Sequence, residues 1–257
     1  RTQDFVEGKG DAVDFDAVDW YELLLQGDRM EMLIDRHWQI MGETDRRHVV
    51  KLVVDEWGTW YRPGSSPTPA NLFEQTPTLR DAVYSAMTLD TFNRNADKVA
   101  MANCAQLVNC LNSLYLAHDD RFCVTPVGHV FAMYADHQGG QAIRAIFEAP
   151  KVAYERDGSA ASFWGLNGSA SLHGKTVVLT VTNPHVTLAR EAAVRIRGAN
   201  VTNATMSVLT HNDMHAHNSF EDPQTVIPAA TTAAVSGSEV TATFPPASVA
   251  KLTLQLA

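Results

Sequence analysis

The chain is short of cysteine: Cys104, Cys110 and Cys123 are its only three in 257 residues. An odd, sparse set excludes a disulfide framework. The three read as free, buried thiols, and they point to a reducing, cytoplasmic location. Long hydrophobic runs are missing too, and nothing approaches the roughly eighteen apolar residues of a membrane span. Nor does the start resemble a secretory leader. The first twenty residues hold six acidic groups and no apolar run, although a chain beginning at Arg1 leaves an upstream segment open. Basic residues are scarce: 20 Lys and Arg against 29 Asp and Glu give a formal charge of −9, which argues against a nucleic-acid partner. A neutral, hydroxyl-rich substrate is compatible with that charge but not implied by it. There is no internal repeat, and no biased tract beyond the Ala/Thr-rich Pro228 to Val235.

What is present is an ordinary globular mixture, 45% hydrophobic and 19% charged. It suits one large domain or two small ones. From Val18 to Met41 the apolar positions Trp20, Leu23, Leu24, Leu33, Ile34, Trp38 and Met41 recur mostly at helical spacing. Gly27 is placed to kink this run or split it into two helices. His37, beside Trp38, reads as a packing residue. Val49 to Val54 is short, β-branched and almost wholly apolar, so a strand buried on both faces is expected. Tyr61 to Pro77 carries Pro63, Pro67, Pro69 and Pro77 and predicts a long loop, a feature that is usually functional. Thr78 is a helix cap, with Leu79, Val83, Ala86 and Met87 forming the apolar face behind it. Val99 to Met101 predicts another buried strand. Thr125-Pro126 starts a helix that Gly139-Gly140 ends.

After Gln141 helical periodicity disappears. Thr176 to Thr182, Ala193 to Arg197 and two runs within Ser238 to Leu256 alternate between turn residues, which predicts an all-β sandwich. Alternating strands and helices before it imply right-handed βα units. Two parallel strands do not make a stable sheet. Either another chain completes the unit, or this chain is the tail of a larger barrel.

The chemistry concentrates in Val53-Val54-Asp55-Glu56-Trp57-Gly58-Thr59-Trp60-Tyr61. Glu56 stands at the C-terminal end of the predicted strand, which in a (β/α)-barrel is the catalytic face. Strict alternation groups Leu52, Val54 and Glu56 on one face and Val53 and Asp55 on the other, so only one carboxylate is expected to enter a site. Trp57, Trp60 and Tyr61 follow, and flat rings pack against sugar faces. A carboxylate among aromatics suits glycoside chemistry. A buried ion pair within an aromatic core accounts for the same residues about as well. His211, His215 and His217 invite a metal reading, but solvent-facing loop histidines are the simpler expectation.

The run Val53 to Tyr61 resembles the nucleophile motif of the α-L-arabinofuranosidases of glycoside hydrolase family 51. Thr78-Leu79-Arg80-Asp81-Ala82, Asn93-Arg94-Asn95-Ala96-Asp97, Met101 to Asn109 and Thr125-Pro126 follow in that family's order. So do Leu209-Thr210-His211-Asn212 and His217 to Pro223. The likeness covers essentially the whole chain. It implies an α/β plus all-β chain, the C-terminal part of a (β/α)8 TIM barrel (residues 1–139) followed by a jelly-roll β-sandwich (140–257). It also implies a retaining hydrolase that releases terminal α-L-arabinofuranosyl groups from arabinose-containing oligosaccharides or polysaccharides. Residue by residue, it makes Glu56 the nucleophile and places Trp60 and Gln106 against the sugar. No cofactor and no metal are implied.

One departure outweighs the matches. The family's acid/base glutamate sits in a Gly-Asn-Glu motif that this chain lacks, and its His-Tyr-Tyr segment is absent as well. A retaining mechanism needs two carboxyl groups roughly 5 to 5.5 Å apart, and one is identifiable. The expected partner is therefore an N-terminal barrel half on a separate chain, in an assembled enzyme that is itself a homo-oligomer. Two other readings stand beside this one: a non-catalytic sugar-binding or assembly fragment, and a β-xylosidase or endoglucanase of the same family.

Overall fold

The computed structural model describes residues 10–62 and 73–257. Most of the proline-rich stretch read as a long loop lies outside these residues. Helix α1 (Ala17–Thr44) starts where the Asp16 carboxylate accepts the Asp19 amide at 2.9 Å. It runs without a break through Gly27. The glycine serves a contact instead: a Cβ there would lie 2.8 Å from Cε2 of Tyr84 on the next helix. His37 is exposed rather than packed, and the ring stacked on Trp38, 4.0 Å away, is His48.

Strand β1 (Leu52–Trp57) pairs in parallel with β2 (Val99–Cys104), with Val53 opposite Met101 and Val54 opposite Ala102. β1 begins later than expected, so Val49 and Val50 precede it. Between the two strands runs α2 (Leu79–Arg94), opened by a capping box in which Thr78 and Asp81 bond each other's backbone. After β2 comes a hairpin that periodicity had not indicated, β3 (Tyr115–His118) and β4 (Arg121–Val124), turning through Asp119 at φ 53°. Thr125 then caps α3 (Pro126–Tyr134) with Pro126 at its first position. The helix passes into a 3-10 turn, Ala135–His137, before the glycine pair.

The remaining strands are β5 (Gln141–Ile143), β6 (Val152–Arg156), β7 (Ser159–Phe163), β8 (Asn167–His173) and β9 (Thr176–Asn183). They continue with β10 (Arg190–Arg195), β11 (Val201–Leu209), β12 (Ala229–Thr231), β13 (Ala234–Ser236), β14 (Glu239–Phe244) and β15 (Ser248–Leu256). Six form one antiparallel sheet in the order β12-β11-β15-β9-β8-β5, and three form another in the order β10-β14-β13. Val177, Leu179 and Val181 of β9 join Val240, Phe244, Leu252 and Leu254 in the core between the sheets. The alternate residues Thr180 and Thr182 are fully buried on the opposite face, toward α2.

A second core fuses the helices to the sandwich: Trp20, Leu24, Leu79, Val83, Val130 and Met133 pack with Val152, Phe163, Leu209 and Val249. Trp20 Nε1 also donates to the Pro184 carbonyl at 2.9 Å. The strand pair is the exception to this burial. Leu52, Val54, Val99 and Ala102 pack toward Ile34, Trp57 and Phe92 on the helix side. Val53 and Met101, on the other side, are 52% and 55% exposed. β1 was expected to be covered on both faces. In this chain it is covered on one, because no described element lies over the other.

Candidate active site

At the end of β1 the pairing with β2 slips between Val54 and Trp57. That slip corrects the strict alternation expected from the sequence. Leu52 and Val54 face the helices, and Trp57 turns back to the same side, its ring 5.9 Å from Phe131 and nearly parallel to it. Asp55 and Glu56 are both left exposed between them. A bulged strand end re-aims its side chains in this way. Glu56 acts electrostatically on Cys110, whose thiol is pushed up first by burial and then by that carboxylate.

Trp60 is half-buried, edge-on to Phe73 with ring centres 5.5 Å apart. Gln106 is exposed beyond the end of β2, its backbone N–H donating to the Cys110 carbonyl at 3.2 Å. The strand ends are tied together: the Ala105 amide donates to Trp57 O, and the Asn112 amide donates to Ala105 O, both at 2.9 Å. The segments carrying Glu56, Cys110 and Gln106 therefore share one end of the strand pair. Leu107 and Val108 stand exposed beside them.

Beneath this end lies a buried polar scaffold that reading the sequence missed. Asp81, with no exposure, accepts the hydroxyls of Thr59 at 2.6 Å and Tyr61 at 2.7 Å on Oδ1. Its Oδ2 accepts the Thr78 amide at 2.7 Å. Gln75 closes the loop by donating to the Thr59 carbonyl and accepting the Tyr61 amide, each at 3.1 Å. Burial, then the Asp81 charge, raises the Tyr61 hydroxyl well above its ordinary value, so Tyr61 remains a donor. The Arg80 guanidinium is sandwiched, 3.6 Å from the Phe15 ring centre and 4.7 Å from that of Tyr61, and donates to the Asp11 carbonyl at 2.6 Å. One part of this was legible beforehand, Thr78 as the cap of α2.

A loop from the sandwich reaches the same rim. Leu79 donates its amide to Ala216 O at 2.9 Å, and Thr78 bridges to His217. His215 in this loop is held between Asp213 Oδ1 and the Phe15 carbonyl, each at 2.8 Å. Among the described residues no group of three His, Cys, Asp or Glu is arranged to hold a metal ion. The three cysteines are free, and burial raises Cys104 to about 11.

Residues 55–248 match the family model of the α-L-arabinofuranosidase C-terminal domain. An intracellular exo-α-L-arabinofuranosidase of Bacteroides ovatus is 30% identical over 221 residues, covering 86% of this chain and 42% of that protein. An exo-α-(1→6)-L-arabinofuranosidase of Bifidobacterium longum is 26% identical, covering 79% and 41%. The crystal structure of the GH51 arabinofuranosidase from Xanthomonas axonopodis pv. citri superposes with a TM-score of 0.90 at 31% identity, over 96% of this chain and 50% of that one. The arabinose complex of the Thermotoga maritima α-L-arabinofuranosidase, 24% identical with a TM-score of 0.80, has the same fold. The chain thus spans about half the length of the proteins it matches. It belongs to the α-L-arabinofuranosidases of glycoside hydrolase family 51, as a C-terminal portion that includes their β-sandwich.

Proposed function

We propose that the protein carrying this chain is a retaining glycosidase that releases terminal α-L-arabinofuranosyl groups from arabinose-containing oligosaccharides or polysaccharides. Glu56 is its nucleophile, attacking the anomeric carbon to form a glycosyl ester that water then hydrolyses. Trp60 offers a ring face to the sugar, and the Gln106 amide bonds its hydroxyls. The acid/base carboxyl comes from outside this chain, on an N-terminal barrel part that lies over Val53 and Met101. The two units divide at residues 139 and 140. A cytoplasmic setting accords with the free thiols and with the relative named as intracellular. No described helix is long and apolar enough to cross a membrane.

The observation that carries this reading is the open end of the β1–β2 pair. It presents an exposed glutamate, an aromatic loop and an exposed glutamine together, beside an apolar strand face that no described element covers. The test is Glu56→Gln in the assembled enzyme, assayed on an aryl arabinofuranoside. Turnover should fall on the order of 10⁴-fold with the fold intact. Azide should restore it and give the product of inverted configuration. Asp55→Asn should retain most turnover. If Asp55→Asn were the variant rescued by azide while Glu56→Gln kept turnover, the nucleophile would be Asp55.

A further inference from the structure

Asp90 lies on α2 against the six-stranded sheet, 1% exposed. Hydroxyls from three elements converge on its carboxylate. Ser169 and Thr180 donate to Oδ1 at 2.7 and 2.6 Å, and Tyr134 and Thr182 to Oδ2 at 2.8 and 3.4 Å. On the far side of Thr180 sits His137, from the 3-10 turn after α3, also buried. Its Nε2 is 3.1 Å from Thr180 Oγ1 and its Nδ1 is 2.8 Å from Ser171 Oγ. Thr180 gives its proton to Asp90, so its oxygen accepts from His137. That puts the ring proton on Nε2 and leaves Nδ1 to accept from Ser171. The result is an unbroken polar path, Asp90–Thr180–His137–Ser171, across the junction of helix and sandwich.

We propose that Asp90 and His137 hold one proton in common through the Thr180 hydroxyl, and that this pair is an acid-responsive fastening between α2 and the sandwich. The transfer balances at every step. When Asp90 is protonated it donates to Thr180 Oγ1, Thr180 donates to His137 Nε2, and His137 Nδ1–H donates to Ser171. Moving the Asp90 proton to Thr180 and the Thr180 proton to Nε2 leaves an Asp90 carboxylate and a His137 imidazolium, with every hydrogen bond kept. A second proton has no such place. Asp90 O–H and Nε2–H would then both point at Thr180, and a net charge would be buried. The other titratable groups facing the pair are Arg94 on α2, Tyr134 on α3, Asp136 in the turn, His173 on β8 and Lys251 on β15; β9 offers hydroxyls alone.

The sense of the pH dependence follows. Burial, opposed by the hydroxyls, raises Asp90 from 3.8 to about 6. Its contribution to stability is present below pH 3.8 and is lost as pH rises through about 6. Burial, then His173, lowers His137 from 6.5 to about 4. Its contribution is present above pH 6.5 and is lost as pH falls through about 4. Over the shared window the two slopes oppose, so the fastening holds level until the second proton enters.

The experiment measures the thermal midpoint from pH 3.5 to 7 at fixed ionic strength, in the full-length protein and its variants. Relative to the parent profile, His137→Gln should lose midpoint progressively as pH rises from about 4 to 6, and Asp90→Asn should gain it over the same range. Parallel profiles for all three proteins would overturn the proposal. The unsubstituted protein supplies a second measurement that needs no variant. The Asp90 carboxyl carbon and the His137 ring, followed by NMR, should move in a common step. Independent titration of the two, with His137 alone near 6.5, would refute the sharing.

Discussion

Among the described residues, Asp81 is a buried carboxylate with no cation among its hydrogen-bond partners, held by the donors of Thr59, Tyr61 and Thr78. It both completes the capping box of α2 with Thr78 and anchors the loop behind Glu56, so one side chain serves helix start and site. Asp81→Asn turns one of its two acceptor oxygens into a donor facing buried donors. It should cost about 2–3 kcal/mol of stability, read from chemical denaturation. Because Thr59 and Tyr61 flank Trp60, the variant should also raise KM for an aryl arabinofuranoside. Thr59→Val removes one donor only and should cost about 1 kcal/mol. The cap was legible from Thr78 standing before the apolar face of Leu79, Val83, Ala86 and Met87. The convergence of Thr59 and Tyr61 was not, since sequence spacing carries no record of a contact 20 residues away.

At the scale of elements, the helices were the most legible, because their starts are chemical. Asp16, Thr78 and Thr125 each accept a backbone amide of the first turn. Strand limits were less so. The β-branched run at Val49 predicted a strand, but backbone pairing with β2 decides where it begins, and Leu52 opposite Val99 is the first pair. The β3–β4 hairpin was missed because Tyr115 to Val124 does not alternate, and Asp119-Asp120 was its one turn signal. That hairpin matters to packing, since α3 approaches its entry closely. A Cβ on Gly128 would fall 2.3 Å from the Leu114 carbonyl oxygen. Gly128→Ala should therefore destabilise by about 2 kcal/mol or more despite the better helix propensity of alanine, measurable as a lower denaturation midpoint.

For the whole molecule the open strand face decides behaviour. Val53 and Met101 are half-exposed, and Met32 and Ile40 of α1 are 58% and 52% exposed. Exposed apolar faces of this kind, beside unpaired strand edges, promote association. The double substitution Val53→Lys with Met101→Lys should reduce dye binding and aggregation of this chain by itself. With the proposed N-terminal barrel part lying over this face, the same change should destabilise the full-length protein by several kcal/mol, because two unpaired charges would be buried. Equal tolerance in both settings would mean that nothing covers this face.

The sequence alone determined the two textures of the chain, helical before Gln141 and alternating after it, because burial on one side of a helix or strand leaves a period in the residues. It also determined the family, through the Val53 to Tyr61 run and the segments in order behind it. Only the tertiary structure decided which way the residues of β1 face, since a slip in pairing with β2 overrides alternation. The same holds for Thr180 and Thr182. Their polarity suits a solvent-facing side, yet α2 lies over that side and its Asp90 takes their hydroxyls. A residue's period is local and survives in one dimension. The partner that satisfies its polar group is supplied by elements far along the chain, and only folding brings them together.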